Sequence, residues 1–351
     1  MNPVDRIIVS NSPERAQTIL VLDTPELVPE AADRAEQVVV FCDDVRDTAR
    51  AREYATENVR MVNELGELDA TLLGEVDLAW LRLPKALGAL DQYAQLISAY
   101  ASPEVLLLAG GRDRHMNRSM NEVLANHFGS VSATLGQQKS RALRAQTPFR
   151  SQIDWPRNKR HAEVNVAGRK KPMTLWANGA TFATNKVDNG TRLMLGRFGQ
   201  IADADNYLDL GCGNGILATT LAKEHPDSRV FAIDASWAAV DATERTASTA
   251  KARVEVSWAA DLSGFEDGAI DVIVTNPPFH RGTAKDSEPT LRLFKQAARV
   301  LGEGGEFWCV FNSHLPWKAA LTRLIGPTVV MEQNTGYTLT RSVKTSNPGA
   351  K

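Results

Sequence analysis

The stretch "YLDLGCGNGILATTLA", residues 207–222, constrains the fold more than any other part of the chain. It places an apolar run of strand type, a turn with three glycines and an amphipathic helix pattern in immediate succession. Glycines let a chain turn sharply and bring backbone N–H groups against a ligand without a Cβ clash. This order of elements predicts an open α/β sheet whose ligand lies at the carboxyl ends of the strands.

The rest of the C-terminal half continues this alternation of strand-like and helix-like segments. Short apolar runs separated by helical patterns are typical of a mostly parallel sheet wrapped by helices. The sequence therefore predicts a seven-stranded sheet in this half. Its predicted strands are 206–210, 229–234, 253–261, 270–276, 306–312, 328–333 and 337–344.

The N-terminal half repeats the same rhythm more weakly. Strands are predicted at 18–23, 37–43, 76–84 and 104–111. Such repetition indicates an internal duplication of two α/β domains. Two unrelated α/β domains of similar rhythm are the alternative. At 351 residues the chain is about twice the usual domain length, which agrees with two domains.

The two copies differ where chemistry is expected. Thr24 and Pro25 stand where the second copy has "GCGNG", and Arg82, Leu83 and Pro84 stand where it has Asn276, Pro277 and Pro278. The first copy therefore keeps the strands but has lost the loops. We predict a degenerate domain at 1–140, a basic linker at 141–175 and an intact Rossmann-like domain at 176–351.

Positive charge is concentrated in one segment. The net charge of the whole chain is only −2, but residues 139–171 contain ten Lys or Arg against two acidic residues. A local contact with a polyanion needs positive charge only where the phosphate backbone lies. The alternative is a solvated interdomain linker.

The cysteines and the N-terminal residues indicate the cellular compartment in which the protein is expected. Cys42, Cys212 and Cys309 are odd in number, widely spaced and without a CxxC pair or a histidine at metal-ligand spacing, so no metal site is expected. A reducing cytoplasm fits this usage. The N-terminus lacks a signal-peptide pattern, and no apolar run approaches the ~20 residues of a membrane span.

Acidic residues accompany the glycine loop. Asp209 precedes the first glycine by two residues, and Asp234 ends the next predicted strand, where a carboxylate can accept both ribose hydroxyls of a nucleoside. Dinucleotide-binding domains have a similar layout, but their spacing is GxGxxG, whereas this loop is GxGxG. An anionic pyrophosphate is disfavoured beside Asp209, whereas a ligand with an ammonium and a sulfonium is favoured there.

On "DLGCGNG" the chain resembles the class I S-adenosylmethionine-dependent methyltransferases. The resemblance implies S-adenosylmethionine as cofactor, with its methionine part on the glycine loop, its ribose on Asp234 and its adenine near Asp261, flanked by Trp237. Asp234 as a helix N-cap and Asp261 as a turn residue are the alternatives. The implied cofactor residues of this domain are Asp209, Gly211, Cys212, Gly213, Gly215, Asp234, Ala235, Ala260, Asp261 and Asn276.

The segment "NPPF", Asn276 to Phe279, follows the fourth predicted strand of the second copy. Proline restricts its own φ and its predecessor, so this stiff exit aims the Asn276 side chain and the Pro277 carbonyl into the cleft. Two acceptors that hold the N–H protons of a planar exocyclic amine orient its lone pair toward a methyl donor and stabilise the growing positive charge. Phe279 offers a face for stacking the target ring, and Pro278 stiffens the turn. A proline-rich turn with a core phenylalanine is the alternative.

The duplicated layout together with "NPPFH", "NSHLPW" and "YTLTRSVK" resembles the bacterial ribosomal RNA guanine-N2 methyltransferases. The resemblance covers nearly the whole chain and is specific across 209–344. It implies two tandem methyltransferase domains with a degenerate N-terminal one that supports RNA binding, and no membrane or metal partner. A segment that closes over the donor corresponds here to Phe182, Lys186, Asp188 and Thr191, with Phe182 and Asp188 as further cofactor contacts.

The resemblance also implies the substrate. We expect a cytoplasmic monomer that methylates guanine N2 in ribosomal RNA. The chain length favours the small subunit (16S). The large subunit (23S), a protein-glutamine methyltransferase and a non-catalytic RNA-binding protein are the alternatives, in that order. The predicted RNA-binding residues are Lys139, Arg141, Arg144, Arg157, Lys159, Arg160, Lys170 and Lys171.

Overall fold

The structure is a computed structural model that describes residues 1–277 and 288–346. The chain divides into two compact units. The first unit is Met1–Trp155 with Asn178–Ala180, and the second is Pro156–Ala177 with Thr181–Lys351. Among the described helices, none has the length and hydrophobicity of a membrane-spanning segment.

The first unit contains a seven-stranded sheet. Its strands are β1 (Ala16–Leu22), β2 (Ala35–Phe41), β3 (Val59–Met61), β4 (Val76–Arg82), β5 (Leu106–Arg112), β6 (Phe128–Ala133) and β7 (Ser140–Pro148), in the order β3-β2-β1-β4-β5-β7-β6. Only the β5–β7 and β6–β7 pairs are antiparallel. The helices are α1 (Pro3–Ser10), α2 (Val28–Arg34), α3 (Val45–Glu53), α4 (Ala70–Leu73), α5 (Leu87–Tyr100) and α6 (Arg118–Ala125).

The second unit begins with the antiparallel hairpin β8 (Arg157–Val166) and β9 (Arg169–Ala177). A seven-stranded sheet follows, made of β10 (Asn206–Leu210), β11 (Arg229–Asp234), β12 (Glu255–Trp258), β13 (Ile270–Thr275), β14 (Leu301–Asn312), β15 (Thr328–Gln333) and β16 (Tyr337–Val343). Its helices are α7 (Asn189–Leu195), α8 (Ile216–Glu224), α9 (Trp237–Thr249), α10 (Glu288–Val300) and α11 (Trp317–Leu324).

Both sheets have the same topology. The second sheet has the order β12-β11-β10-β13-β14-β16-β15, with only β16 antiparallel to its neighbours, which is the pattern of the first sheet. The predicted fold class, two tandem Rossmann-like domains with mostly parallel seven-stranded sheets, is confirmed.

Alternate residues of the central strands pack on opposite faces of the second sheet. Tyr207 belongs to the apolar cluster on one face, with the inner residues of α8, and Leu208 belongs to the cluster on the other face, with α10 and α11. Successive side chains of a strand point to opposite faces, so a sheet covered on both sides requires continuous apolar runs. This burial holds the carboxyl ends of β10, β11 and β13 side by side.

The segment 141–175, predicted as a basic linker, is structured instead. Its first part forms β7 of the first sheet, residues 149–155 continue the first unit, and the hairpin of the second unit begins at Arg157. Ala162, Val164 and Val166 are buried in the core of the second unit, while the residues between them are exposed. Buried apolar and exposed residues thus alternate along β8, which is typical of a half-buried strand. The many charged residues of this segment made the alternation hard to recognise in the sequence.

Candidate functional site

The glycine loop lies at the carboxyl end of β10, as predicted. Gly211, Gly213 and Gly215 have φ values of 78°, 56° and 74°, in the left-handed region that favours glycine. A Cβ on Gly215 would lie 2.7 Å from Thr243 Cα, so this glycine permits close packing of α8 on α9. A Cβ on Gly211 or Gly213 would meet nothing within 4 Å. These two glycines therefore leave open space on the ligand side of the loop.

Asp209 lies beneath this loop and is fully buried. Its Oδ2 accepts a hydrogen bond from the Ala218 backbone N–H at 2.9 Å, whereas its Oδ1 has no partner among the described residues. Burial raises the pKa of Asp209 to about 7, against the lowering effect of the Ala218 N–H, and the charge of Asp234 raises it further. A buried carboxylate with an unused acceptor favours a cationic ligand group nearby.

We expect Asp209→Asn to flatten the pH dependence of stability. Because the folded-state pKa is about 7 and the ordinary value is 3.8, the folded chain keeps a proton that the unfolded chain releases between these pH values. The wild-type free energy of unfolding should therefore fall as pH rises from about 4 to about 7, by on the order of 1–3 kcal/mol more than that of the variant.

The measurement is denaturant unfolding of both proteins from pH 4.5 to 7.5 without ligand. Asp23 in the first unit has a pKa of about 6, also raised mainly by burial, and it contributes with the same sign in both proteins. The difference between the two curves therefore isolates Asp209. Parallel curves would show that Asp209 titrates near its ordinary pKa.

Asp234 ends β11 beside the loop. Its Oδ2 accepts from the Gly213 N–H at 3.1 Å and its Oδ1 from the Ser236 N–H at 3.0 Å. The N-cap of α9 is Ser236, so Asp234 is not the helix cap that was the alternative. The Trp258 indole donates to the Ala235 carbonyl at 2.8 Å, which holds this strand end in place.

Of the residues predicted near the adenine, Trp237 begins α9, and Ala260 and Asp261 lie beyond β12. None of the three lines the cavity at the glycine loop. Asp261 is exposed, and its Oδ1 accepts from the Ser263 N–H at 3.0 Å. Hydrogen bonding with the Ser263 side chain, followed by this backbone contact, lowers the pKa of Asp261. This contact is typical of an aspartate that stabilises a turn, which was the alternative interpretation of Asp261. The cofactor roles of Ala260 and Asp261 stay predictions.

The segment 182–191 lies against the glycine loop. The Asn214 side-chain amide donates to the carbonyls of Thr184 and Lys186, both at 2.9 Å. Asp188 is the N-cap of α7 and accepts from the Gly190 N–H at 2.8 Å. The sequence analysis missed Asn214, although its place inside the glycine motif was a signal for it.

Asn276 follows β13 and faces the same segment. Its Nδ2 donates to Asp188 Oδ2 at 3.1 Å and to Thr191 Oγ1 at 3.0 Å. Its Oδ1 is buried and has no partner in residues 1–277 and 288–346. Pro277 is buried, whereas the predicted Pro278 and Phe279 lie outside the described residues.

These groups surround one small cavity. The glycine loop is flanked by two acceptors, Asp209 Oδ1 and Asn276 Oδ1, that have no partner among the described residues. Of these two residues, Asn276 lines the cavity directly. The half-exposed ring of Phe182 lies at the rim. The lining residues are Phe182, Ala183, Lys186, Asp188, Thr191, Gly211, Cys212, Gly213, Asn214, Ile216, Leu217 and Asn276.

A larger depression lies at the other edge of this sheet, between residues 202–205, 224–228, 271–272 and 303–306. It is formed by the amino ends of β10, β11 and β13, whereas ligands of such sheets bind at the carboxyl ends. The smaller cavity is therefore the candidate site. Within the described residues, no group of three or more His, Cys, Asp or Glu could hold a metal ion.

The residues present fit S-adenosylmethionine. The open side of Gly211 and Gly213 leaves room for a ligand against the backbone. Asp209 Oδ1 is a buried acceptor with no partner among the described residues, and a cationic group nearby would favour the charged form of this carboxyl. Asp234 presents its carboxylate at the next strand end, where a ribose would lie. When bound, this cofactor supplies an electrophilic methyl group on a sulfonium.

The corresponding edge of the first unit contains an ion network in place of a glycine loop. Arg82 Nη2 lies 2.9 Å from Oδ1 of the fully buried Asp5 and 3.1 Å from Glu26 Oε2. The same nitrogen donates to Thr24 Oγ1 at 3.3 Å. In the first unit, the guanidinium of Arg82 thus contacts Thr24, the residue that stands where the glycine loop begins in the second unit.

The predicted RNA-binding residues fall into two groups. Lys139, Arg141 and Arg144 lie in the first unit, and the other five lie in the hairpin of the second. Lys170 pairs with Glu163 at 3.3 Å, and Lys171 pairs with Glu224 at the C-terminal end of α8. The glycine loop is at the opposite end of this helix, so Lys171 does not lie at the cavity.

Comparisons with known proteins agree with this geometry. Residues 172–341 match the methyltransferase small domain family, and residues 34–148 match the RLMG N-terminal domain family. A Pseudomonas aeruginosa protein named ribosomal RNA large subunit methyltransferase G is 30% identical over 256 residues, which cover 72% of this chain and 67% of that protein. A Streptomyces avermitilis protein of the same name is 28% identical over 274 residues, covering 77% and 71%.

A solved structure has a similar fold. It is the T. Thermophilus 16S rRNA N2 G1207 methyltransferase in complex with AdoMet and guanosine. The TM-score is 0.80 at 18% sequence identity, over 98% of this chain and 92% of that one.

Proposed function

Because this chain belongs to the ribosomal RNA large subunit methyltransferase G family, we propose that it methylates the exocyclic N2 amine of a guanine in 23S ribosomal RNA. Membership of this family and the methyltransferase small domain make the chain an S-adenosylmethionine-dependent methyltransferase. The choice of a guanine amine in the large subunit is the proposed part, and such a substrate implies the cytoplasm.

The hydrogen bonding of the Asn276 side-chain amide supports a planar amine as the target. Its two donors are already used by Asp188 and Thr191, so only its Oδ1 is left for a substrate. A group that can only accept requires a donor, and the N–H of an exocyclic amine is such a donor.

In the proposed reaction, Asn276 Oδ1 and the Pro277 carbonyl accept the two N–H protons of the guanine amine. This contact turns the amine lone pair toward the methyl group and stabilises the positive charge that grows on nitrogen. A new N–C bond forms while the S–C bond of the donor breaks. The alkylated nitrogen is acidic and releases its proton late, so no strong general base is required.

The small-subunit interpretation gives way to the large-subunit alternative. It rested on chain length, whereas the relatives are named for the large subunit. The solved 16S enzyme supports the fold only, because its identity is 18%. The family relationship also disfavours a protein-glutamine methyltransferase, and the intact loop with Asn276 disfavours a non-catalytic RNA-binding protein.

The proposal is tested with labelled S-adenosylmethionine and ribosomal particles from cells that lack this gene. We expect label in 50S particles or naked 23S RNA, and nucleoside analysis should find it on guanine N2. Label in 16S RNA would revive the small-subunit alternative. Absence of label in every RNA and particle would overturn the proposal.

We propose that the hairpin contributes to RNA binding through its unpaired cations. Lys159 and Arg160 are exposed beside a bulge in β8 and form no ion pair within the described residues, whereas Lys170 and Lys171 are paired with carboxylates. Cations that are already neutralised release fewer counterions on RNA binding.

We therefore expect Lys159→Gln with Arg160→Gln to weaken RNA binding about fivefold or more at low salt and to reduce the slope of log affinity against log salt by about 1 to 2. The matched control, Lys170→Gln with Lys171→Gln, removes the same formal charge and should change affinity by less than about twofold. Filter binding of 23S fragments at several salt concentrations measures both. Equal losses in the two double variants would contradict the assignment.

A further inference from the structure

The side-chain amide of Asn276 is held by two residues from one helix start. Its Nδ2 donates to Asp188 Oδ2 at 3.1 Å and to Thr191 Oγ1 at 3.0 Å, across 88 and 85 residues of sequence. We propose that Asp188 and Thr191 are positioning residues, which orient the Asn276 amide so that its Oδ1 points at the target amine. This inference rests on the proposed function, because it assigns Oδ1 to the substrate.

The orientation of the amide follows from chemistry. An ionised carboxylate accepts hydrogen bonds and donates none, so the nitrogen of the amide must face Asp188. The reversed amide would bring Oδ1 against the carboxylate oxygen and leave two buried acceptors in contact. With Asp188 on one Nδ2 hydrogen and Thr191 on the other, Oδ1 is the part of the amide that remains for a ligand.

The two positioning residues are themselves held firmly. Asp188 Oδ2 also accepts from the backbone N–H groups of Gly190 and Thr191, at 2.8 and 3.4 Å, and so caps α7. Thr191 is 6% exposed, and α7 packs against β14 and β16. The acceptors that orient Asn276 are therefore fixed by a packed helix.

Gly190 favours this arrangement. A Cβ at this position would lie 3.1 Å from both Asp188 Oδ2 and the ring of Tyr337. The absence of a side chain lets the helix start approach β16 closely while Asp188 still reaches Asn276. Asp188 was predicted as a cofactor contact, but its Oδ2 is engaged by this network, so we assign it to Asn276.

The first test compares Thr191→Val with Thr191→Ser. Valine matches threonine in shape and removes the acceptor, whereas serine keeps it. We expect kcat for 23S RNA to fall about 5- to 20-fold in the valine variant and to return to within about twofold in the serine variant. KM for RNA and the Kd of S-adenosylmethionine should stay within about twofold of wild type in both. Unchanged kcat in Thr191→Val, or a loss of donor affinity instead, would overturn the inference.

Asp188→Asn tests the other acceptor. Asparagine caps helices about as well as aspartate, so α7 should start normally and thermal unfolding should change little. The neutral amide is a weaker acceptor and no longer dictates the orientation of Asn276. We expect a fall in kcat at least as large as in Thr191→Val. Wild-type kcat in Asp188→Asn would count against a positioning role for this residue.

A spectroscopic test separates this inference from the proposed function. In protein labelled with ¹⁵N-asparagine, the side-chain signal of Asn276 is identified by its absence in Asn276→Ala. Both of its protons should exchange slowly with water in the wild type, and one should lose protection in Thr191→Val. Rapid exchange of both protons in the wild type would overturn the positioning network whatever the RNA results are. If the protons are protected but no RNA is methylated, only the proposed function fails.

Discussion

Asn276→Ala should lower kcat for methyl transfer by roughly 10²–10³-fold while it leaves the affinity for S-adenosylmethionine within about twofold. The reason is that Asn276 Oδ1 is a buried acceptor with no partner among the described residues. In the proposed reaction it contacts the amine whose charge grows in the transition state. The contact gains strength as the reaction proceeds, so its loss affects kcat more than binding.

Single-turnover methylation of 23S RNA and titration calorimetry with S-adenosylmethionine measure the two quantities. Asn206→Ala is a suitable control, because Asn206 starts β10 at the opposite edge of the same sheet, where its side chain donates to Asp271 at 3.4 Å. The control should keep kcat within about threefold of wild type. If Asn276→Ala abolished donor binding, Asn276 would instead hold the site together.

Gly213→Val should abolish detectable binding of S-adenosylmethionine, with an expected loss of at least about 100-fold in affinity. Gly213 has a φ of 56°, which a β-branched residue strongly disfavours, so a local backbone penalty of roughly 1–3 kcal/mol is expected. The new side chain would also enter space that is open in this structure and belongs to the cavity. The backbone strain and the loss of open space both affect the part of the glycine loop that faces the cavity.

Gly168→Val separates backbone strain from occlusion. Gly168 has a φ of 82° in the turn of the hairpin, and a Cβ there would also meet nothing within 4 Å, but it lies outside the cavity. This variant should lose a similar amount of stability and bind the donor like the wild type. Normal donor binding by Gly213→Val would mean that the cofactor lies elsewhere.

Much of the fold was predictable because its strands are short apolar runs bounded by turn and helix patterns. The predicted strands at 206–210, 229–234 and 328–333 match β10, β11 and β15 residue for residue. The strand predicted at 253–261 is only Glu255–Trp258, because the chain leaves the sheet at the turn held by Asp261. Half-buried segments were harder, and the hairpin in 141–175 was missed because its charge dominates its pattern.

The site was predictable only in part. The glycine loop, Asp209 and Asn276 carry local signals, since left-handed turns, buried acids and rigid proline exits are visible in short motifs. The roles of Asp188 and Thr191 were not visible as such, because their partner Asn276 lies 88 and 85 residues away in the sequence. The charge run likewise did not reveal which of its cations are paired.

The amino-acid sequence by itself determined the duplicated α/β architecture and the glycine turn, because strand burial and left-handed backbone depend on residue type and local spacing. The tertiary structure alone decided which atom of Asn276 has no partner among the described residues. That choice depends on bringing the start of α7 against the end of β13, and such a contact is set by the packing of whole elements and not by the residues next to Asn276.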